Sequence, residues 1–103
     1  MVMIEEVRQG DILKIEKIKF PVLIVSNDFF NKSGEIIGCP VMMNAIEGPL
    51  HIFVSTSEVE GYVLCEQLRL FDLRVRGHKK IDQLKWSEKI NISDAVQGIF
   101  EYI

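Results

Sequence analysis

Apolar residues in this chain come in short runs, each closed by turn chemistry, and that spacing limits the possible folds more than any other feature. Asp11 to Ile15 (DILKI) alternates apolar and charged residues after Gly10, as a half-exposed strand does. Pro21 leads into VLIV, a continuous aliphatic block suited to a strand buried on both faces, and Ser26, Asn27 and Asp28 break it. FFNKSGE carries a turn around Ser33 and Gly34. In EIIGCPVMM, Gly38 and Pro40 point to a bulge or an edge position. PLHIFVST, Pro49 to Thr56, alternates again, Glu58 to Gly61 makes a loop, and Val63 to Arg69 resumes as a strand. Such runs at short spacing predict a mainly β fold, a small antiparallel barrel or a strongly bent sheet.

The C-terminus follows another period. Ile92, Ala95, Val96, Ile99, Phe100 and Ile103 form the stripe of an amphipathic helix, with Ser87 or Ser93 available as its cap. Packing on the sheet is the ordinary use of such a stripe, and a partner-binding helix is the other. Gly98 interrupts it at about 1 kcal/mol relative to alanine.

With 103 residues, the chain reads as one domain spanning 1–103. Its 26% charged residues and net charge of -3 exclude a wholesale nucleic-acid binder, so any anion site must be local. Cys39 and Cys65 are too few and too isolated for a metal framework, and they read as buried free thiols, a single disulfide being the other reading. No metal or other cofactor is expected. The start MVMIEEVRQG has acids where a signal peptide needs an apolar segment, and no apolar run reaches the length of a membrane span, so a cytoplasmic protein is expected.

One stretch does not read as scaffold: GYVLCEQLRLFDLRVRGHKK, Gly61 to Lys80. Its Glu66 and Arg69 stand three residues apart, an odd offset that puts them on opposite faces of a regular strand unless a bulge intervenes. Both a structural role, such as Arg69 bonding Asp72, and a phosphate-handling role fit them. The tail carries Arg74, Arg76, His78, Lys79 and Lys80 with no acid until Asp82, which suits either a solvated hairpin or phosphate steering. His51 and His78 are the two histidines; a two-histidine ribonuclease would be chemically sensible, but their separation in sequence is weak support.

The order of the motifs says more. Gly10-Asp11-Ile12, Pro21-Val22-Leu23-Ile24-Val25-Ser26-Asn27-Asp28, Gly38-Cys39-Pro40-Val41, Leu64-Cys65-Glu66-Gln67-Leu68-Arg69 before Asp72, and Arg76-Gly77 before a basic run succeed one another over nearly the whole chain. This series resembles the MazF/PemK family of toxin endoribonucleases, within the CcdB/PemK-like barrel superfamily. The resemblance implies an SH3-like antiparallel barrel of roughly five to seven strands with a C-terminal helix. It also implies a homodimer, metal-independent cleavage of single-stranded RNA, and a cognate antitoxin whose C-terminal segment occupies the RNA groove. Carried onto this chain, it suggests Glu66, Arg69 and Lys19 as catalytic residues, and Asn27, Arg74, Arg76, His78, Lys79 and Lys80 as RNA contacts.

Two family positions differ in chemistry. The arginine that precedes the P-V strand is Phe20 here, with Lys19 beside it, and the third-strand threonine or serine is Met42. Lysine supplies charge without the planar fork, and methionine does no acid-base work. The long loop that overhangs the family's site is trimmed to a tight turn around Glu16 to Lys19. Two alternatives therefore stand beside the ribonuclease: a binding module of the same fold without the chemistry, and a CcdB-like gyrase poison acting through the helix end Ile99-Phe100-Glu101-Tyr102-Ile103.

Overall fold

The computed structural model describes residues 6–101. Seven strands follow one another as β1 (Asp11–Ile15), β2 (Val22–Ile24), β3 (Glu35–Met42), β4 (His51–Ser55), β5 (Glu60–Leu64), β6 (Arg69–Asp72) and β7 (His78–Gln83). A single turn of helix, α1 (Asp28–Asn31), separates β2 from β3, and α2 (Trp86–Ile99) closes the chain. All pairings are antiparallel, in the order β4-β5-β3-β2-β1-β7, with β6 on β3. The result is the mostly β, curled half-barrel with a C-terminal helix that the resemblance implied.

The longest strand, β3, is the pivot. Glu35 to Gly38 pair with β6, Val41 and Met42 pair with β5, and Gly38 to Pro40 pair with β2 on the other edge. Cys39 and Pro40 thus fall where one side of β3 passes from β6 to β5. The Val41 amide donates to the Pro21 carbonyl at 2.9 Å, toward β2, so the Pro40 nitrogen points the opposite way into that gap. A missing N–H costs nothing there. The expected bulge or edge at Gly38 and Pro40 is corrected accordingly: they sit mid-sheet, at a change of partner.

Alternation along the strands feeds two cores on the two faces of the sheet. Ile12, Leu23, Cys39, Val41, Val54, Val63, Cys65, Leu84 and Ile92 pack together inside the curl and under α2. Leu13, Ile15, Val22, Ile24, Ile36, Phe71 and Leu73 pack on the other face. β2 supplies Leu23 to one and Val22 and Ile24 to the other, which is why its sequence is apolar without a break. β1 does the same, so the half-exposed reading of DILKI is corrected: only Lys14 of that strand is exposed. Sheet curl is held at one seam by Asp82, whose carboxylate accepts the Ser57 hydroxyl at 3.1 Å and the Glu58 amide at 3.0 Å from the β4–β5 loop.

Three other expectations change. Val63 to Arg69 is not one strand; β5 ends at Leu64, a turn takes Cys65 to Leu68, and β6 begins at Arg69. α2 is capped by neither Ser87 nor Ser93 but starts after Lys85, whose amide donates to the Glu88 carboxylate at 3.1 Å. The helix buries Ile92 and, partly, Ala95 and Val96, which pack against the inner core, but Ile99 and Phe100 are exposed. Ile103, the last residue of the predicted stripe, lies outside the described residues, as does Tyr102. Among the described residues no helix is long and apolar enough to cross a membrane.

Cys39 and Cys65 are both free and buried, as expected. Burial pushes the Cys39 thiol up to about 12 and the Cys65 thiol up to about 11, so both are protonated and unreactive near neutral pH.

Candidate functional site

Phe20 divides two hollows on the rim of the sheet. One is bordered by Phe20, Gly38, Pro40, Gln67, Leu68, Arg69 and Phe71. The other takes in Lys19, Phe20, Pro21, Met42, Asn44 and Glu58. The first hollow is open because of β3: Gly38 is the partner of Arg69 across the β3–β6 ladder, and it puts no side chain opposite the arginine. A Cβ there would lie 2.4 Å from Val22 Cγ1.

Arg69 leans over the Phe71 ring, its guanidinium carbon 5.0 Å from the ring centroid. The Arg76 guanidinium approaches the same ring at 6.0 Å. Phe71 is itself buried, so the ring is a fixed platform for two cations. Neither arginine makes an ion pair among the described residues, which leaves both forks able to take a phosphate oxygen pair.

The turn from Cys65 to Leu68 sends neighbouring side chains to different places. The Cys65 amide donates to the Leu50 carbonyl at 2.9 Å and the Gln67 amide to the Leu64 carbonyl at 3.0 Å, which fixes the turn. Gln67 then lines the hollow with Arg69, whereas Glu66 turns to β4, where its carboxylate meets His51 Nε2 at 2.6 Å. The other ring nitrogen, Nδ1, lies 2.6 Å from the Ile46 carbonyl. The hydrogen bond to Glu66 and the one to Ile46 raise the His51 pKa above its ordinary value. Partial desolvation pushes Glu66 upward, but the bond from His51, its own amide and the charge of His51 outweigh it and leave the carboxyl lowered.

Of the predicted catalytic residues, then, Arg69 is in the first hollow, Lys19 in the second, and Glu66 in a pair with His51. The fold sets all three around Phe20 and the β5–β6 turn without bringing them into one cluster. Phe20 and Met42, which the resemblance sets at the family's arginine and hydroxyl positions, share the second hollow and line it with apolar side chains.

The predicted RNA contacts divide further. Arg74 is engaged by Asp72 through two parallel bonds, Nε to Oδ1 at 2.9 Å and Nη2 to Oδ2 at 3.0 Å; the bond from Arg74 lowers the Asp72 pKa, and that from Asp72 raises the Arg74 pKa. Lys80 reaches Asp11 Oδ1 at 3.2 Å and Gln83 at 3.0 Å. Asn27 caps α1, its side-chain oxygen accepting the Phe30 amide at 2.8 Å, and it lines a separate cavity beside α2. His78 is half-buried, with Nδ1 3.2 Å from the Arg76 carbonyl. Lys79 is exposed and lies directly across from Lys14 on β1. Exposed Lys79 and half-buried Arg76 are thus the Lys and Arg residues of the basic run without a carboxylate partner among the described residues.

His51 and His78 lie on strands far apart in the sheet order, each with its own partners. The real partner of His51, Glu66, is fifteen positions away. No spacing rule connects them; only the β4–β5 register, which sets His51 opposite Leu64, brings the following turn within reach. Among the described residues no three His, Cys, Asp or Glu side chains gather as a metal site would require.

The family model described as PemK-like, MazF-like toxin of type II toxin-antitoxin system matches residues 8–100. Among solved structures, a MazE-MazF complex from Deinococcus radiodurans matches with TM-score 0.83 at 19% identity, covering 92% of this chain and 96% of that one. MazF alone from the same organism matches with TM-score 0.79 at 18% identity, over 92% and 96%. An endoribonuclease in complex with its cognate antitoxin, from a mycobacterial species, matches with TM-score 0.80 at 16% identity, over 94% and 99%. Compared by sequence with curated proteins, the chain matches none.

Proposed function

Because this chain belongs to the PemK-like, MazF-like toxins of type II toxin-antitoxin systems, we propose that it is a toxin component acting in the cytoplasm on single-stranded RNA as an endoribonuclease. The observation that carries this reading is the pair of guanidinium groups, Arg69 and Arg76, converging on the Phe71 ring beside an open hollow. An RNA strand supplies what that arrangement takes: phosphates for the forks, and a base for the apolar shelf of Phe20, Pro40 and Leu68.

Cleavage by attack of the ribose 2′-OH needs a group to accept its proton, a group to return one to the leaving 5′-oxygen, and positive charge on the phosphorane. Arg69 is the group for the phosphorane charge. The Glu66 carboxylate, ionised at neutral pH, is held by His51 beside the hollow and would have to leave that pair to accept the proton, and Lys19 is the cation beside Phe20 and Met42. The family resemblance implies that the protein acts as a homodimer. By analogy with the complexes to which this chain is similar, its protein partner is a cognate antitoxin; the family resemblance implies that the antitoxin's C-terminal segment occupies the RNA groove.

A second reading keeps the binding and drops the reaction. It is favoured by Phe20 and Met42, which put no donor and no fork in the second hollow. Incubating the protein with a varied set of single-stranded RNAs in the presence of a metal chelator, beside Arg69→Ala and Glu66→Gln, separates the two. Discrete cut products that Arg69→Ala abolishes support the endoribonuclease. Salt-sensitive binding without product supports the binding module, and neither binding nor cleavage at high protein concentration removes both.

A further inference from the structure

His51 holds two acceptors at once. Nδ1 faces the Ile46 carbonyl and Nε2 faces the Glu66 carboxylate, each at 2.6 Å. Neither partner has a proton to offer: a backbone carbonyl never does, and the lowered Glu66 is ionised at neutral pH. A neutral imidazole has one N–H and one lone pair, so in either tautomer one of the two contacts would set lone pair against lone pair. Only the imidazolium satisfies both.

The three residues come from three segments. Ile46 belongs to the β3–β4 loop, His51 opens β4, and Glu66 sits in the β5–β6 turn. Gln67 follows Glu66 directly and Arg69 stands three residues on; both line the hollow. We propose that His51, as an imidazolium clamp, is a positioning residue: it ties the β3–β4 loop to the β5–β6 turn and so sets the direction in which Gln67 and Arg69 meet single-stranded RNA. The clamp rests on the RNA reading of the hollow. Loss of the proton releases one of the two contacts, the turn gains freedom, and RNA binding weakens.

The charged surroundings of the ring are few. Glu66 is the ionisable side chain bonded to it, Leu64 is the residue across from it on β5, and Glu47 adjoins Ile46 in the loop. Cys65, behind Glu66, is kept protonated by burial and does not compete for the proton. The raised His51 pKa is consistent with this geometry.

Two measurements on the whole protein decide the matter. The first is a nitrogen-15 NMR titration from about pH 5 to about pH 9. Both His51 ring nitrogens are expected to be protonated up to a midpoint above about 6.5, and the amide signals of Ile46, Glu66, Gln67 and Arg69 are expected to move with the same midpoint. A midpoint below that value, or Gln67 and Arg69 signals indifferent to it, overturns the clamp.

The second is the affinity for a mixed-sequence single-stranded oligoribonucleotide over the same range. Above the midpoint the competent fraction falls with each pH unit, so Kd is expected to rise by up to about tenfold per unit. His51→Gln is expected to bind weakly at every pH and to lose that step while its Tm stays near the parent's. Binding that shows no step in the parent, or the same step in His51→Gln, overturns the positioning role. Absence of RNA binding at any pH defeats the RNA reading and the positioning role with it, whereas a failed titration beside intact RNA binding defeats the clamp alone.

Discussion

Lys80 Nζ lies 3.2 Å from Asp11 Oδ1, and Asp11 is a carboxylate 3% exposed at the junction of β1 and β7. The same carboxylate accepts the Arg8 amide at 2.9 Å. A side chain that reads in the sequence as one more cation of a basic turn is, in the fold, the counter-ion of a buried acid.

Lys80→Met therefore tests structure before it tests RNA. It leaves Asp11 with the Arg8 amide alone, and because Lys80 is partly exposed the cost is reduced from that of a fully buried pair to about 1–2 kcal/mol. Urea unfolding is expected to show the loss, with Asp11→Asn/Lys80→Met recovering most of it in a double-mutant cycle. An unchanged midpoint in Lys80→Met would return Lys80 to the list of free cations.

Arg69→Lys separates charge from shape. Lysine keeps the positive charge near the Phe71 ring but loses the planar fork. RNA affinity is expected to fall by about tenfold, close to the fall in Arg69→Ala, if bidentate phosphate contact is what Arg69 supplies. Retention of parental affinity in the lysine variant would mean that charge alone suffices. Either substitution is expected to change Tm little, since the exposed stacking contact contributes about 0.5–1 kcal/mol.

Gly38→Ala is expected to destabilise by about 1–3 kcal/mol. The new methyl would meet Val22 Cγ1 at 2.4 Å and the Leu23 carbonyl at 3.1 Å, and the carbonyl cannot yield without disturbing the β2–β3 ladder. Thermal unfolding beside Gly48→Ala, where a Cβ meets nothing within 4 Å, supplies the comparison. Equal Tm values for the two variants would contradict the close packing of β2 on β3.

Asp82 gives the fold an acid-sensitive seam. Hydrogen bonding from Thr56, then from the Gln83 and Glu58 amides and the Ser57 hydroxyl, holds its pKa at about 2 against an ordinary 3.8. A depressed carboxyl contributes stability that is present above its unfolded value and is lost as pH falls through the folded one. Stability of the parent is thus expected to decline from about pH 4 toward about pH 2 more steeply than that of Asp82→Asn. Parallel acid profiles for the two proteins would remove Asp82 from the seam.

Much of the scaffold was legible because it follows from local periodicity. The break of VLIV at Ser26, the turn at Gly34, whose φ is +92°, and the helical stripe through Ile92, Ala95 and Val96 each depend on a few consecutive residues. Readings failed where a neighbour distant in sequence decides. DILKI looks half-exposed until β2 and β7 flank it and both its faces are covered. The apolar run through Leu64 looks continuous into Arg69 until β5 and β6 part to pair with different ends of β3. Lys85 starts α2 with no capping side chain type to advertise it.

By itself, the sequence determined the family of the protein and its mainly β character with a C-terminal helix, because short-range apolar spacing and ordered motifs survive without knowledge of contacts. It also marked Gly61 to Lys80 as a stretch that does not read as scaffold. Only the tertiary structure decided what those side chains do. Strand register, which is long-range, took Lys80 to Asp11, and with the direction of the β5–β6 turn it turned Glu66 away from Arg69 to a histidine fifteen residues back, while the local shape of β6 and the turn after it paired Arg74 with Asp72 and set Arg69 and Arg76 on the ring of Phe71.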